Sequence, residues 1–352
     1  MITKGLTIMK QLETERLILR KFDEDDFSAV HSYASCAENL TYMQFPPNGE
    51  EGTRSFINMA IAETQRELRK KYIYAVVLKA DGNLIGGCEI SVDEGNLGWI
   101  LHRDYWRQGY GVEIGKELLR FGFEELNIRR IIATCDVENT GSFRIMEKIG
   151  MRREGLFLDA RTTNNLLGRE YADELVYAIL KNEWQAHREI EYYNTLPCEF
   201  SGFIEVPKLS DRVIHLVCVA KHPAIPEKNY VPWYEFAVCK GSEKIGQIDL
   251  RIGYEGGKHG AGLYYGGQIG YWIHKNYRGN GYAVRACRLL TAVAKVHKMD
   301  KLIITNGHKN EASKRVCEKL GAKWIRMARL PEWHDLYEEG QRFVNVFEWS
   351  IG

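Results

Sequence analysis

The chain has 352 residues, 45% hydrophobic and 27% charged, which fits ordinary globular cores and a length of two domains. Its 48 Lys and Arg nearly cancel its 47 Asp and Glu, so no net field draws it to nucleic acid or to an anionic membrane surface. No run approaches the roughly 20 apolar residues of a membrane span. The opening MITKGLTIMK lacks an uninterrupted apolar core, and the eight cysteines never form a CxxC pair. Both point to free, buried thiols in a cytoplasmic protein, and no His/Cys/Asp spacing suggests a metal site.

In chain order, RLILRKF alternates as a strand and leads into one or two short helices. Two strands follow in YIYAVVLKADGNLIGGCEISV, broken by a turn at Ala80 to Asn83. The strand NLGWIL then runs into YWRQGYGVEI, with two glycines around a tyrosine, and a helix, GVEIGKELLRFGFEEL. RRIIATCDV is the next strand; the helix after it ends at Gly150, placed as a C′ residue. An antiparallel pair closes the first half with DELVYAIL. KNEWQAHREIEYYNTLP is charged and aromatic, and reads as a packed helical connector instead of a free tether.

The order then repeats as CEFSGFIEV, YEFAVCKGSEKIGQIDLRI, QIGYWIHKNYR, NYRGNGYAVRA, a helix, DKLIITNGH, a helix ending at Gly321, and RFVNVFEWSI. Gly281 lies 172 residues after Gly109, Gly270 lies 172 after Gly98, and Asn310 lies 171 after Asn139. Ile85 and Ile245 are only 160 apart, which places an insertion in GYEGGKHGAGLYYGG, residues 253–267. That segment reads as a mobile hairpin loop, or as one wall of an acceptor site through Tyr254, His259, Tyr264 and Tyr265. The expected layout is a first domain at 1–184, a connector at 185–197 and a second domain at 198–352. Each domain is expected to be α+β, a mixed and mostly antiparallel twisted sheet flanked by helices.

Glycines at a helix N-terminus let a ligand reach unpaired amides at the positive end of the helix dipole, which suits phosphate oxygens. A tight strand-to-helix turn explains one such motif equally well; two copies, each followed at matched distance by Asn and Ser, favour a ligand. The dinucleotide pattern GxGxxG fails, because Ile114 and Val284 occupy its third glycine position.

RGNGYA, Arg278 to Ala283, resembles the acetyl-CoA loop (Q/R)xxGx(G/A) of the GCN5-related N-acetyltransferases. WRQGYG keeps the small residues but has Trp106 at the first position. That Trp, with ENTGSFRIMEKIGM and DELVYAILKNEW, resembles the RimJ/RimL branch, which acetylates protein N-terminal amines and small amines. The resemblance implies an acetyl-CoA-dependent transfer to a primary amine by direct attack in a ternary complex. It also implies that amides of Gln108, Gly109, Tyr110, Gly111 and Val112 hold the pyrophosphate of the first copy. In the second copy Arg278, Gly279, Asn280, Gly281, Tyr282, Ala283 and Val284 form the loop. Asn139 and Asn310 would bond the pantetheine arm, with Ser142 and Ser313 three residues on; an N-cap role is compatible with this.

The family's general-acid tyrosine falls at Met146 and Cys317, and a glutamate often seen in the fourth strand is replaced by Asn96 and Gln268. Carboxylates at matched positions remain at Glu89 and Asp249, either as bases acting through water or as solvent-facing strand residues. Asp136 and Glu138 are further candidates in the first copy alone. The acceptor the resemblance implies is a small amine or a peptide N-terminus. The alternative is that one copy or both are non-catalytic acyl-CoA-binding or scaffold modules, with at most one active half.

Overall fold

The computed structural model describes residues 9–256 and 260–352 and divides into two compact units between Trp184 and Gln185. In the first, β1 (Leu12–Glu13) and β2 (Leu17–Arg20) precede three helices, α1 (Phe27–Ala34), α2 (Ala37–Leu40) and α3 (Glu50–Thr64). Then come β3 (Lys71–Leu78), β4 (Leu84–Ser91) and β5 (Leu97–Leu101), completing an antiparallel sheet of order β1-β2-β3-β4-β5. Helix α4 (Tyr110–Arg120) leads to β6 (Arg130–Asp136), α5 (Thr140–Lys148), β7 (Arg152–Thr162) and β8 (Tyr171–Leu180), the strands ordered β6-β8-β7.

The sequence KYIYAVVL of β3 is almost wholly apolar because both its faces are covered. Ile73 and Ala75 pack with Val30, Tyr33 and Ile57 of the early helices, whereas Tyr74 and Val76 pack with Ile114 and Leu118 of α4. The two sheets of the unit meet at a single parallel bridge, Asn96 to Ile132, beside the Ile132 N–H donated to Gly95 O at 2.7 Å. Past that bridge β5 and β6 belong to separate sheets, β5 leading on to α4 and β6 to α5.

Helix α6 (Lys181–Tyr193) follows β8; its Ala186, Ile190 and Tyr193 lie in the core of the second unit. That unit contains β9 (Leu209–Ser210), β10 (His215–His222), β11 (Trp233–Lys240), β12 (Glu243–Arg251), α7 (Gly262–Gly266), β13 (Ile269–Ile273) and α8 (Tyr282–Val296). It ends with β14 (Lys301–Gly307), α9 (Glu311–Leu320), β15 (Lys323–Arg329), α10 (Asp335–Glu338) and β16 (Phe343–Ser350). The sheets are β13-β12-β11-β10-β9 and β14-β16-β15, so each unit has the expected α+β architecture.

The structure corrects three expectations. CEFSGFIEV is not a strand: Glu199 N–H donates to His297 O, Ile204 N–H donates to the Tyr234 hydroxyl, and Phe200 and Phe203 pack edge to face. The edge of β10 that it would pair with is taken by β9. Second, the helices expected after the first strand are missing from the second unit. Residues 223–232 join β10 to β11 through one 3-10 turn, Pro226–Lys228, whereas residues 21–70 hold α1 to α3 in the first. Third, the described residues of the glycine-rich insertion, 253–256 and 260–267, are packed: Tyr254 donates to Lys301 O at 2.6 Å, Tyr264 donates to Glu189, and Tyr254, Tyr264 and Tyr265 are core residues. His259 lies outside the described residues.

Losing the helical layer changes the sheet face beneath it. Ile73, opposite Glu89 in the first unit, is 4% exposed, and its counterpart opposite Asp249 is Glu235. A carboxylate is tolerable there because that face is no longer roofed by apolar helices.

Candidate functional site

Gly109 caps α4 with φ 86° and Gly281 caps α8 with φ 74°, left-handed conformations that glycine adopts without strain. The first helical residues, Tyr110 and Gly111 or Tyr282 and Ala283, have no intrahelical acceptor for their N–H groups by position. Val112 departs from the expected cradle, since its N–H turns back to Gly109 O at 3.1 Å.

Trp106 and Arg278 do the same local work. The Trp106 indole N–H donates to Leu101 O at 2.8 Å and the Arg278 Nε–H donates to Ile273 O at 2.9 Å, each to the last carbonyl of the strand before the loop. An aromatic donor thus substitutes for a guanidinium one in bracing the loop.

Gly111 serves packing. A Cβ there would meet Ile145 Cδ1 at 2.4 Å, and one on Gly115 would meet Ile149 Cδ1 at 2.9 Å. At the corresponding positions α8 and α9 carry Ala283 with Val316 and Cys287 with Leu320, a larger residue on the first helix matched by a smaller or differently branched one on the second. Gly111→Ala is therefore expected to destabilise the protein by about 1–3 kcal/mol, and Ile145→Val to restore much of that loss. Urea unfolding of the single and double variants measures the coupling.

Beside the first loop Arg16 donates to Glu113 Oε2 and to Gln108 O, and its guanidinium lies 4.4 Å from the centre of the Tyr110 ring. Burial alone would raise the Glu113 pKa, but bonds from Thr14 and from the Arg16 amide and guanidinium outweigh it and hold the carboxyl below its usual range. The second unit reverses the polarity: Arg285, at the position of Glu113, pairs with Asp211 at 2.7 Å. Sequence reasoning missed these clips because their partners lie far apart along the chain.

Asn139 Oδ1 accepts the Ser142 N–H at 3.0 Å and Asn310 Oδ1 accepts the Ser313 N–H at 3.1 Å, so both Asn side chains cap their helices, α5 and α9. Ser313 Oγ is also 2.9 Å from the Tyr271 hydroxyl of β13. Burial pushes the Tyr271 pKa up, with the Ser313 bond pulling the other way. The strand position of Tyr271 is held by Trp99 in the first unit, since Trp99 faces Cys88 as Tyr271 faces Ile248. Gln268 N–H donates to Ile303 O, and its side chain accepts the Ile303 N–H and donates to Gly253 O. Gln268 thereby holds β13 to β14, a structural duty.

The matched carboxylates sit in different surroundings. Asp249 faces Gly270, where a Cβ would come within 2.5 Å of Asp249 Oδ1. Its Oδ2 is 3.1 Å from an Arg251 nitrogen yet accepts no well-directed hydrogen bond among the described residues. Burial raises the Asp249 pKa, the Arg251 charge and a Gly270 backbone bond oppose the rise, and Glu235 adds to it. Glu89 is 39% exposed and lies 3.9 Å from Lys71, a surface-type pair. Asp136 is buried and bonded to Arg169, which Glu138 also approaches at 3.2 Å, so both are engaged in a structural cluster. Met146 and Cys317 are core residues. Cys317 Sγ accepts a weak bond from Asn306, whose Oδ1 is bonded by Asn345. Burial pushes the Cys317 thiol up to about 12, with the Asn306 bond opposing.

All eight cysteines are free thiols; Cys36, Cys198 and Cys218 are only half-buried. Among the described residues no cluster suited to a metal ion is present, and no helix is long and apolar enough to cross a membrane.

The acetyltransferase (GNAT) domain family matches this chain at residues 16–152 and again at 207–323. The relative named Uncharacterized N-acetyltransferase YnaD, from Bacillus subtilis (strain 168), is 35% identical over 177 residues, covering 49% of this chain and 98% of its own. Uncharacterized N-acetyltransferase p20 from Bacillus licheniformis is 28% identical over 181 residues, covering 50% of this chain and 99% of its own. A solved acetyltransferase (GNAT family) from Bacillus anthracis shares 37% identity over 49% of this chain and 99% of its own, with a TM-score of 0.43.

Proposed function

This chain belongs to the acetyltransferase (GNAT) family, carrying its domain twice, and on that premise we propose that it transfers an acetyl group from acetyl-CoA to a primary amine. The observation that carries the reading is the repetition, in each unit, of a left-handed glycine at one helix N-terminus and a capped Asn-x-x-Ser at the next. The donor fits this arrangement: Gly279 and Gly281 leave open space where a Cβ would stand, and unpaired amides follow them. Bound acetyl-CoA supplies a thioester carbonyl open to attack by an amine.

The remaining work falls to the chain. Amides at Gly109 to Gly111 and at Asn280 to Ala283 hold phosphate oxygens, and Asn139 and Asn310 orient the arm of the donor. Asp249 suits the base that takes a proton from the incoming ammonium, since burial and a poorly satisfied oxygen favour its protonated form. Glu89 is the counterpart in the first unit. The acceptor is a small amine or, in keeping with the RimJ/RimL resemblance, a peptide N-terminus.

The test is calorimetric titration of the full chain with acetyl-CoA, followed by a thiol-release screen over N-terminal peptides, polyamines, aminoglycosides and amino acids. Binding together with amine-dependent thiol release is the expected result. Binding without release to any amine would instead favour a pair of acyl-CoA-binding modules.

A further inference from the structure

We propose that the unroofed sheet face of the second unit holds that unit's acceptor, that the acceptor is a small diamine, and that Glu235 selects it by binding the ammonium that does not react. This rests on the acetyltransferase reading above. In the first unit the corresponding face is closed: Ile73 and Ile100 pack with Phe22, Val30 and Ile57 in one apolar cluster. At their register positions the second unit carries Glu235 and Trp272. The face has lost its helices and gained a carboxylate and an indole that is 49% exposed. Loss of a roof explains polar residues, but a large exposed aromatic beside two carboxylates has the composition of a cation site.

Cross-strand register places Ala220, Glu235, Asp249 and Gly270 in one row on one face. The Asp249 carboxyl lies over Gly270, where a Cβ would come within 2.5 Å of its Oδ1. β13 is the edge strand that leads to the second glycine loop. Asp249 is therefore the carboxylate nearer the donor, and Glu235 stands one strand further out, about 5 Å away. Trp272, two residues beyond Gly270, shares that face. Glu235 is steadied from the side, its Oε2 3.2 Å from His222 Nε2 and that imidazole stacked on Trp233 at 4.3 Å. Its other oxygen accepts no hydrogen bond among the described residues.

Arg251 is already engaged, with Asp249 at 3.1 Å and with Gly267 O at 3.1 Å. Tyr230, edge-on to Trp233 at 6.4 Å, donates to Asp335 at 3.0 Å, which adds a carboxylate at the rim. Glu235, Asp249 and Asp335 against one guanidinium leave the face net negative. A monoamine satisfies Asp249 alone. A diamine sets its reacting nitrogen beside Asp249 and its second ammonium on the unused Glu235 oxygen, with its methylenes along the Trp272 ring. Nitrogens roughly 6–9 Å apart span one strand spacing and the side chains at its ends. Ile73 offers no such partner, so this selection is confined to the second unit.

The test uses full-length protein carrying Gly109→Val, so that turnover reports the second loop, with Glu235→Gln and, separately, Glu235→Ile added. kcat/KM is measured for cadaverine and for pentylamine, which differ by one ammonium. The parent should prefer cadaverine about 30-fold, and each added change should bring that ratio close to one. Binding is read without turnover: calorimetric titration with cadaverine should show a site that either change weakens about 10-fold or more. If the Gly109→Val parent turns over no amine, the titration alone decides. A ratio near one in an active parent, a ratio that both changes leave intact, or cadaverine binding that is absent or indifferent to Glu235 would each overturn the proposal. Glu235-dependent cadaverine binding in a protein that fails to bind acetyl-CoA would keep the diamine site and overturn the acetyltransferase reading instead.

Discussion

Asp249→Asn is expected to lower amine-dependent turnover by about 10²-fold or more while raising the melting temperature at pH 8. The two effects share one cause. Burial raises the folded-state pKa of Asp249 above its ordinary value of 3.8. The stability linked to such a group is fully present below its unfolded pKa and is lost as pH rises through its folded pKa. The variant and wild type should thus melt together near pH 4 and separate as pH climbs, with Asn the more stable. The acid limb of wild-type kcat/KM should lie above the usual aspartate range for the same reason. Scanning fluorimetry from pH 4 to 8, beside pH–rate profiles, measures both. If Asn is the less stable residue throughout, the attraction of Arg251 dominates and Asp249 is a structural ion-pair partner. Glu89→Gln, at an exposed carboxylate beside Lys71, should leave stability within about 0.5 kcal/mol.

Gly281→Val should remove donor binding at the second loop with only a modest effect on folding. No atom lies within 4 Å of the point where a Cβ on Gly281 would stand, so the protein itself has room for the side chain. The left-handed backbone costs a non-glycine residue roughly 1–2 kcal/mol. The larger consequence is a branched side chain standing where phosphate oxygens must approach the amides. Titration with CoA should fall from two sites per chain to one, and Gly109→Val should remove the complementary site. Gly111→Ala gives the opposite profile, a clear stability loss with donor binding largely retained, because its methyl group would enter the α4–α5 contact. Two sites persisting in Gly281→Val would exclude the loop as the phosphate cradle.

Most of the strands along the chain, the two glycine turns and the helix-capping asparagines were legible because local chemistry dictates each of them. Period-two apolar runs make strands such as LILR of β2, a glycine is needed where φ is positive, and Asn followed three residues later by a bonded amide makes an N-cap. The capping of α8 by Gly281 was readable for the same reason. CEFSGFIEV misled because alternation reports a face, whereas a strand also needs a free edge, and β9 occupies it. The missing helices of the second unit were written in the chain as well, in the short stretch between His222 and Trp233. A shortened connection leaves no motif of its own, only a spacing.

The site was legible where it is made of backbone and opaque where it is made of contacts. Arg16 meets Glu113, and Tyr271 meets Ser313, across separations no local window spans. Glu89 and Asp249 looked equivalent as letters in matched strands. Their difference comes from what covers and faces them, Lys71 in one case and Gly270 with Glu235 and Arg251 in the other.

The small residues of α4 and α8 and the branched residues opposite them bear on how the copies diverged. Gly111 fits against Ile145, and the corresponding positions of the second unit carry Ala283 and Val316. An α4 segment exchanged for its α8 counterpart brings a methyl group against the end of the Ile145 side chain. A transplant of both helices carries its own complement with it. The helix after the loop and the helix after the Asn are therefore best exchanged together: chimeras cut between them should lose about the 1–3 kcal/mol expected for Gly111→Ala, while those cut outside them should not.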